Sequence, residues 1–257
     1  MEVTRRSTAA ILAACLMVVS KSAPSIAQFD VAQFGAAQSD GAQFDAPQLE
    51  PPSQEIIQTD VTTPTGSRGV MARPYGPGPF PAVLHLHGSG ETVAKSIVVL
   101  RIFARAGYVA MDIEYRDGPA GGIDMDDVYA SLDFLKASRF VRKGLVGLNG
   151  FSLGARTALR IAATRDVRAV SAIAARTTGG TAPTILDDAE LLKMPILLQH
   201  GTKDPTVPYE DSVLLEKKLK SLKRRVQLVS YRGSEHNNLP WDRVYEKVLQ
   251  FFRDNLR

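Results

Sequence analysis

Across 257 residues there is one cysteine, Cys15, one tryptophan, Trp241, and only four histidines, His85, His87, His200 and His236. So little cysteine excludes a disulfide framework and a cysteine-based zinc site. A cysteine nucleophile is excluded as well if Cys15 leaves with an N-terminal leader. His85 and His87 would share one face of a strand, but no third ligand accompanies them, so no metal centre is expected. Long apolar runs are also missing. Ser7 to Ser20 is apolar but too short to span a bilayer comfortably. There is no basic block with interleaved aromatics. The formal charge is +4, and Arg5, Arg6 and Lys21 against Glu2 account for half of it. Nothing here points to nucleic acid.

What the N-terminus does have is the layout of a secretory leader. Arg5 and Arg6 supply the charge, Ser7 to Ser20 the apolar core, and Ser25-Ile26-Ala27 the small-x-small site, with cleavage after Ala27. Thr4-Arg5-Arg6 faintly resembles a twin-arginine signal, but Thr8 stands where an apolar residue is usual. Leu12-Ala13-Ala14-Cys15 resembles a lipoprotein box. Anchoring at Cys15 would leave a very short apolar core before it and Leu-Met-Val-Val after it, so cleavage at Ala27 is the preferred reading. The expectation is an exported protein, periplasmic or secreted by a bacterium, with no transmembrane domain once residues 1–27 are removed.

Residues 27–51 repeat with a period of five: AQFDV, AQFGA, AQSDG, AQFDA, PQLEP. Five pentads make little more than one coil of a solenoid and cannot bury a core. Residues 28–53 therefore read as a flexible low-complexity linker, ended by Pro51-Pro52. From Gln54 the pattern becomes globular, and 54–257 reads as one domain.

Two strands open that domain, at Glu55–Thr63 and Gly69–Arg73. From Ala82 onward strands and helices alternate. Strands are expected at 82–87, 108–115, in the run from Leu145, at 169–174, 195–200 and 226–231. Helices are expected at 93–106, 124–138, 155–163, around Val213, Leu215, Leu219 and Leu222, and around Val244, Val248, Phe251 and Phe252. This predicts an α/β fold, a mostly parallel central sheet with helices on both faces, after an antiparallel opening pair. In such sheets functional groups gather at the carboxyl ends of the strands.

The organising stretch is Leu145-Val-Gly-Leu-Asn-Gly-Phe-Ser-Leu-Gly-Ala155, a strand, a tight turn and the start of a helix around G-x-S-x-G. The turn must push Ser152 out of the sheet edge, and Gly150 and Gly154 remove side chains that would collide there. At the helix start the Leu153 N–H can donate to a developing oxyanion. A serine hydroxyl needs a base and a carboxylate that orients it. His236, in Gly233-Ser-Glu-His-Asn-Asn238, lies between the last strand and the last helix and is the expected base. Asp204, in His200-Gly-Thr-Lys-Asp-Pro-Thr-Val-Pro208, is the expected acid, with Asp211 and Glu235 as rivals. His87-Gly88-Ser89-Gly90 follows the first core strand and is expected to supply the second oxyanion N–H at Ser89, Gly88 allowing close approach. His87 and His200 read as structural histidines.

These motifs, with Gly107-Tyr108-Val109, make the chain from about Gln54 resemble the dienelactone-hydrolase and prolyl-oligopeptidase-like group of α/β-hydrolases. The resemblance implies a serine hydrolase that works through an acyl-enzyme and needs no cofactor. Many dienelactone hydrolases use cysteine where Ser152 stands, which favours ester over lactone chemistry. The chain has no room for the large β-propeller of prolyl oligopeptidases. The segment Arg176–Glu190, where many relatives insert a lid, is short. An open site for small or polar ester substrates is expected. The alternatives are a small-peptide or amide hydrolase and a non-catalytic binding protein on a hydrolase fold.

Overall fold

The computed structural model describes residues 55–116, 118, 123–179 and 183–257. The expected leader and linker lie outside the described residues. Eight strands form one sheet: β1 (Ile56–Thr62), β2 (Arg68–Pro74), β3 (Phe80–Leu86), β4 (Val109–Ile113), β5 (Val141–Phe151), β6 (Ala169–Ile173), β7 (Ile196–Gly201) and β8 (Val226–Tyr231). Their order is β1-β2-β4-β3-β5-β6-β7-β8. The β1–β2 and β2–β4 pairs are antiparallel, and every later pair is parallel. The helices are α1 (Val93–Arg105), α2 (Met125–Ala137), α3 (Leu153–Thr164), α4 (Tyr209–Ser221) and α5 (Trp241–Asn255).

The apolar pattern decides which helix covers which face. Val128, Leu132 and Leu135 of α2, Ala155, Ala158 and Leu159 of α3, and Leu215 and Leu219 of α4 join one buried cluster. Leu100 and Phe103 of α1 and Val244, Val248 and Phe252 of α5 join the other. The sheet is thus covered on both faces, and β4, β6 and β7 are buried at every position, as parallel strands between helix layers are. Gly147 lets α5 lie close: a Cβ there would stand 2.7 Å from the Phe252 ring.

Helix ends follow local chemistry. Asp124 caps α2 by accepting from the Asp126 N–H at 3.0 Å. After α1, Gly107 adopts φ +95° and the chain closes a Schellman motif, with the Tyr108 N–H on the Phe103 carbonyl and the Gly107 N–H on the Ala104 carbonyl. The Tyr108 ring then meets the Phe103 ring edge-on.

The structure differs from expectation in three places. Strand β5 starts at Val141 rather than near Leu145, because the exposed Arg142-Lys143-Gly144 stretch breaks register against β3 and hides its beginning. A short 3-10 helix, Asp187–Leu191, occupies a stretch with no periodic signal. Helix α4 ends at Ser221, so Leu222, expected within it, is its C-cap residue, while Val213 lies in the helix as expected, exposed beside the buried Asp211 and Ser212. Among the described residues no helix is long and apolar enough to cross a membrane.

Candidate active site

Strand β5 runs into α3 through Ser152, which takes φ 53° and ψ −115°. That left-handed backbone is strained for a residue with a Cβ. The Ser152 N–H is tied to the Ile173 carbonyl at 2.8 Å, which holds the turn against β6. The flanking glycines are required by space. A Cβ on Gly150 would lie 2.5 Å from the Gly154 carbonyl, and one on Gly154 would lie 2.0 Å from the Leu86 oxygen. The Ser152 side chain does not cap α3, so its hydroxyl is available elsewhere.

It is taken by His236. His236 Nε2 lies 2.9 Å from Ser152 Oγ, and His236 Nδ1 lies 2.6 Å from Asp204 Oδ2. A carboxylate oxygen can only accept, so Nδ1 carries the proton and Nε2 accepts from the serine hydroxyl. The imidazole is 7% exposed and packs against Phe151 at 5.0 Å, and Phe151 in turn meets Trp241 edge-on. The Asp204 side chain is fully buried. Burial works against its ionisation, but the Val207 and Thr206 N–H groups, each 2.8 Å from Oδ1, and His236 outweigh it and hold the carboxyl below its usual range. The three residues expected from sequence therefore come together in one hydrogen-bonded chain at the carboxyl edge of the sheet.

The rivals for the acid do not reach His236. Asp211 faces the loop after β6, where Oδ2 accepts from the Thr177 N–H at 2.7 Å and Oδ1 from the Thr178 hydroxyl at 2.6 Å. Glu235 is exposed.

Of the two expected oxyanion donors, Leu153 is the first residue of α3 and Ser89 sits exposed in the loop after β3. Among the described residues neither N–H bonds a backbone carbonyl. The Gly88 N–H, by contrast, is occupied: it donates to Glu91 Oε2 at 2.7 Å. Gly154 brings α3 and the end of β3 into contact, so both candidate donors lie at one edge. His87 is buried, its Nδ1 lies 3.1 Å from the Gly88 carbonyl, and its ring stacks on Tyr115 at 4.2 Å. The Tyr115 hydroxyl donates to the His87 carbonyl. His85 turns to Asn149, with Nδ1 2.9 Å from Nδ2. Among the described residues no three metal-ligating side chains converge on one point.

Sequence reasoning missed Glu91 and Tyr115, which shape the loop after β3, and Phe151, which packs His236. Phe151 is the first of the two variable residues of the G-x-S-x-G motif, and no pattern marks it. The sequence also offers no sign that His200 touches Asp204, with Nε2 3.1 Å from Oδ2.

An eight-stranded sheet of this order, covered by helices on both faces and carrying a strained serine at a strand-to-helix turn, has the α/β-hydrolase fold. Residues 123–247 match the model of the dienelactone hydrolase family. The structure is similar to that of a Klebsiella pneumoniae protein assigned as a dienelactone hydrolase, with TM-score 0.69 and 20% identity, covering 77% of this chain and 99% of that one. It is similar to a Pyrococcus furiosus esterase, with TM-score 0.64 and 18% identity over 79% of this chain and 92% of the other. In sequence it is 25% identical over 231 residues to YtmA, an uncharacterized peptidase of Bacillus subtilis, covering 73% of this chain and 88% of that protein.

Proposed function

We propose that the protein is a serine hydrolase that cleaves small carboxylic esters through an acyl-enzyme. The observation that carries this reading is the chain of hydrogen bonds from Ser152 through His236 to Asp204, set on a strained turn. In the first half-reaction His236 Nε2 takes the Ser152 proton as Oγ attacks the ester carbonyl carbon. The tetrahedral oxyanion is held by the Leu153 and Ser89 N–H groups. The C–O bond to the alcohol breaks as the imidazolium returns the proton to the leaving oxygen. In the second half water repeats the sequence, and the carboxylic acid leaves. Asp204 stays ionised and steadies the imidazolium.

Small or polar esters fit this reading because the segment after β6 is short and is pinned down on α4 by Asp211. The test is turnover of a matched ester and anilide, p-nitrophenyl acetate against acetyl p-nitroanilide. Ester turnover with little anilide turnover supports the proposal. Comparable turnover of both would favour the small-peptide or amide hydrolase. Export forms part of the same proposal, and the secreted form should begin at Gln28.

A further inference from the structure

Asp204 serves two histidines. Its Oδ2 is 2.6 Å from His236 Nδ1 and 3.1 Å from His200 Nε2. His200 projects from β7, four residues before Asp204, and both side chains are fully buried. His200 Nε2 also lies 3.1 Å from the Val207 carbonyl, and His200 Nδ1 lies 2.7 Å from Ser212 Oγ on α4.

The proton positions follow from the partners. A carboxylate and a carbonyl can only accept, so Nε2 carries a hydrogen shared between them. Burial pushes the His200 pKa down, so the ring is neutral and has that one N–H. Nδ1 is then an acceptor, and the Ser212 hydroxyl must donate to it. Ser212 therefore selects the tautomer that His200 offers to Asp204. The opposite tautomer would set a lone pair against the carboxylate.

We propose that His200 is a positioning residue for the active site, held in its donor tautomer by Ser212, and that the working unit is the five-membered chain Ser212–His200–Asp204–His236–Ser152. Two backbone amides hold Oδ1, and two imidazoles hold Oδ2. Through Val207 the same N–H staples the acid loop to its own strand. The carboxylate can then neither rotate nor drift from the base. The inference rests on the serine hydrolase reading, and its test separates the two.

Three variants distinguish a hydrogen-bonding role from packing. His200→Phe fills the space without a donor. His200→Gln places an N–H near the position of Nε2. Ser212→Ala releases the tautomer. Each is assayed on p-nitrophenyl acetate and by the rate of fluorophosphonate labelling at Ser152, with folding checked by circular dichroism. Phe should lower kcat by about 10- to 100-fold with KM within about twofold, the loss expected for a buried hydrogen bond removed from a charged partner. Gln should recover most of the loss, and Ser212→Ala should fall between. A folded Phe variant with wild-type kcat and labelling rate overturns the inference, as does a Gln variant no better than Phe. If the Phe variant does not fold, Ser212→Ala decides: an unchanged kcat overturns the inference and a lowered kcat with unchanged KM supports it. Wild-type protein that is not labelled at all would instead remove the serine hydrolase reading.

Discussion

Gly154 presses against Leu86 so closely that a Cβ on it would stand 2.0 Å from the Leu86 carbonyl oxygen, with the His87 oxygen at 2.5 Å. The neighbour is backbone, fixed in β3 by β4 and β5, and cannot swing aside. Gly154→Ala must push α3 away from the loop that carries Ser89, moving Leu153 and Ser152 with it. The expected outcome is a stability loss of about 1 to 3 kcal/mol by overpacking, with esterase turnover falling more than stability alone explains. Chemical denaturation and kcat/KM on the same preparation check this.

Asp204→Asn keeps the shape of the side chain and an acceptor for the Thr206 and Val207 amides. It removes the charge that fixes the His236 tautomer. Ester turnover should drop by about 10^3- to 10^4-fold while the fold persists. The corresponding change at Asp211, which holds Thr177 and Thr178 instead, should leave a far larger share of kcat and act mainly on stability.

His85 makes folding pH-dependent. Burial, and after it the neighbouring His87, pushes its pKa down to about 3, against a raising hydrogen bond with the Asn149 backbone. Above the unfolded value of about 6.5 both states are neutral and the stability is fully present. As pH falls toward 3 the unfolded chain binds a proton that the folded chain refuses, so stability is lost on the order of 1 kcal/mol per pH unit in that window. Urea denaturation at pH 7, 6 and 5 measures the slope. It should be shallower in His85→Asn, which keeps an acceptor for Asn149.

Asp112 acts with the opposite sign. It is fully buried on β4, and Oδ1 accepts from the Ile113 N–H at 2.8 Å. Burial raises its pKa well above the ordinary carboxylate range. The unfolded chain ionises above about pH 4 and the folded chain does not, so stability is lost as pH rises from there. Asp112→Asn should therefore raise the melting temperature at pH 8 and change it little at pH 4.

Much of this architecture was legible in the sequence because parallel strands are continuous apolar runs and the helices keep one apolar stripe. Strand β8 matches its expected bounds, and α1 and α2 lie within one residue of theirs at each end. Ser152, Asp204 and His236 were legible because each follows a strand at the same sheet edge. What sequence could not show is which polar side chain folds back on which loop. Glu91 reaching the Gly88 amide, Tyr115 lying over His87 and His200 sharing Asp204 depend on three-dimensional approach, and none has a periodic or local signature. The start of β5 escaped for a different reason: after the buried Val141 its next three residues, Arg142-Lys143-Gly144, are exposed and break the apolar run.

The most direct measurement is labelling of the folded protein with a fluorophosphonate, read by intact mass and peptide mapping. A single adduct on Ser152, absent from Ser152→Ala, is the expected result and would establish an activated serine at the strained turn. A folded wild-type protein that takes no adduct, or an adduct that persists in Ser152→Ala, would contradict it and turn attention to a binding protein on a hydrolase fold.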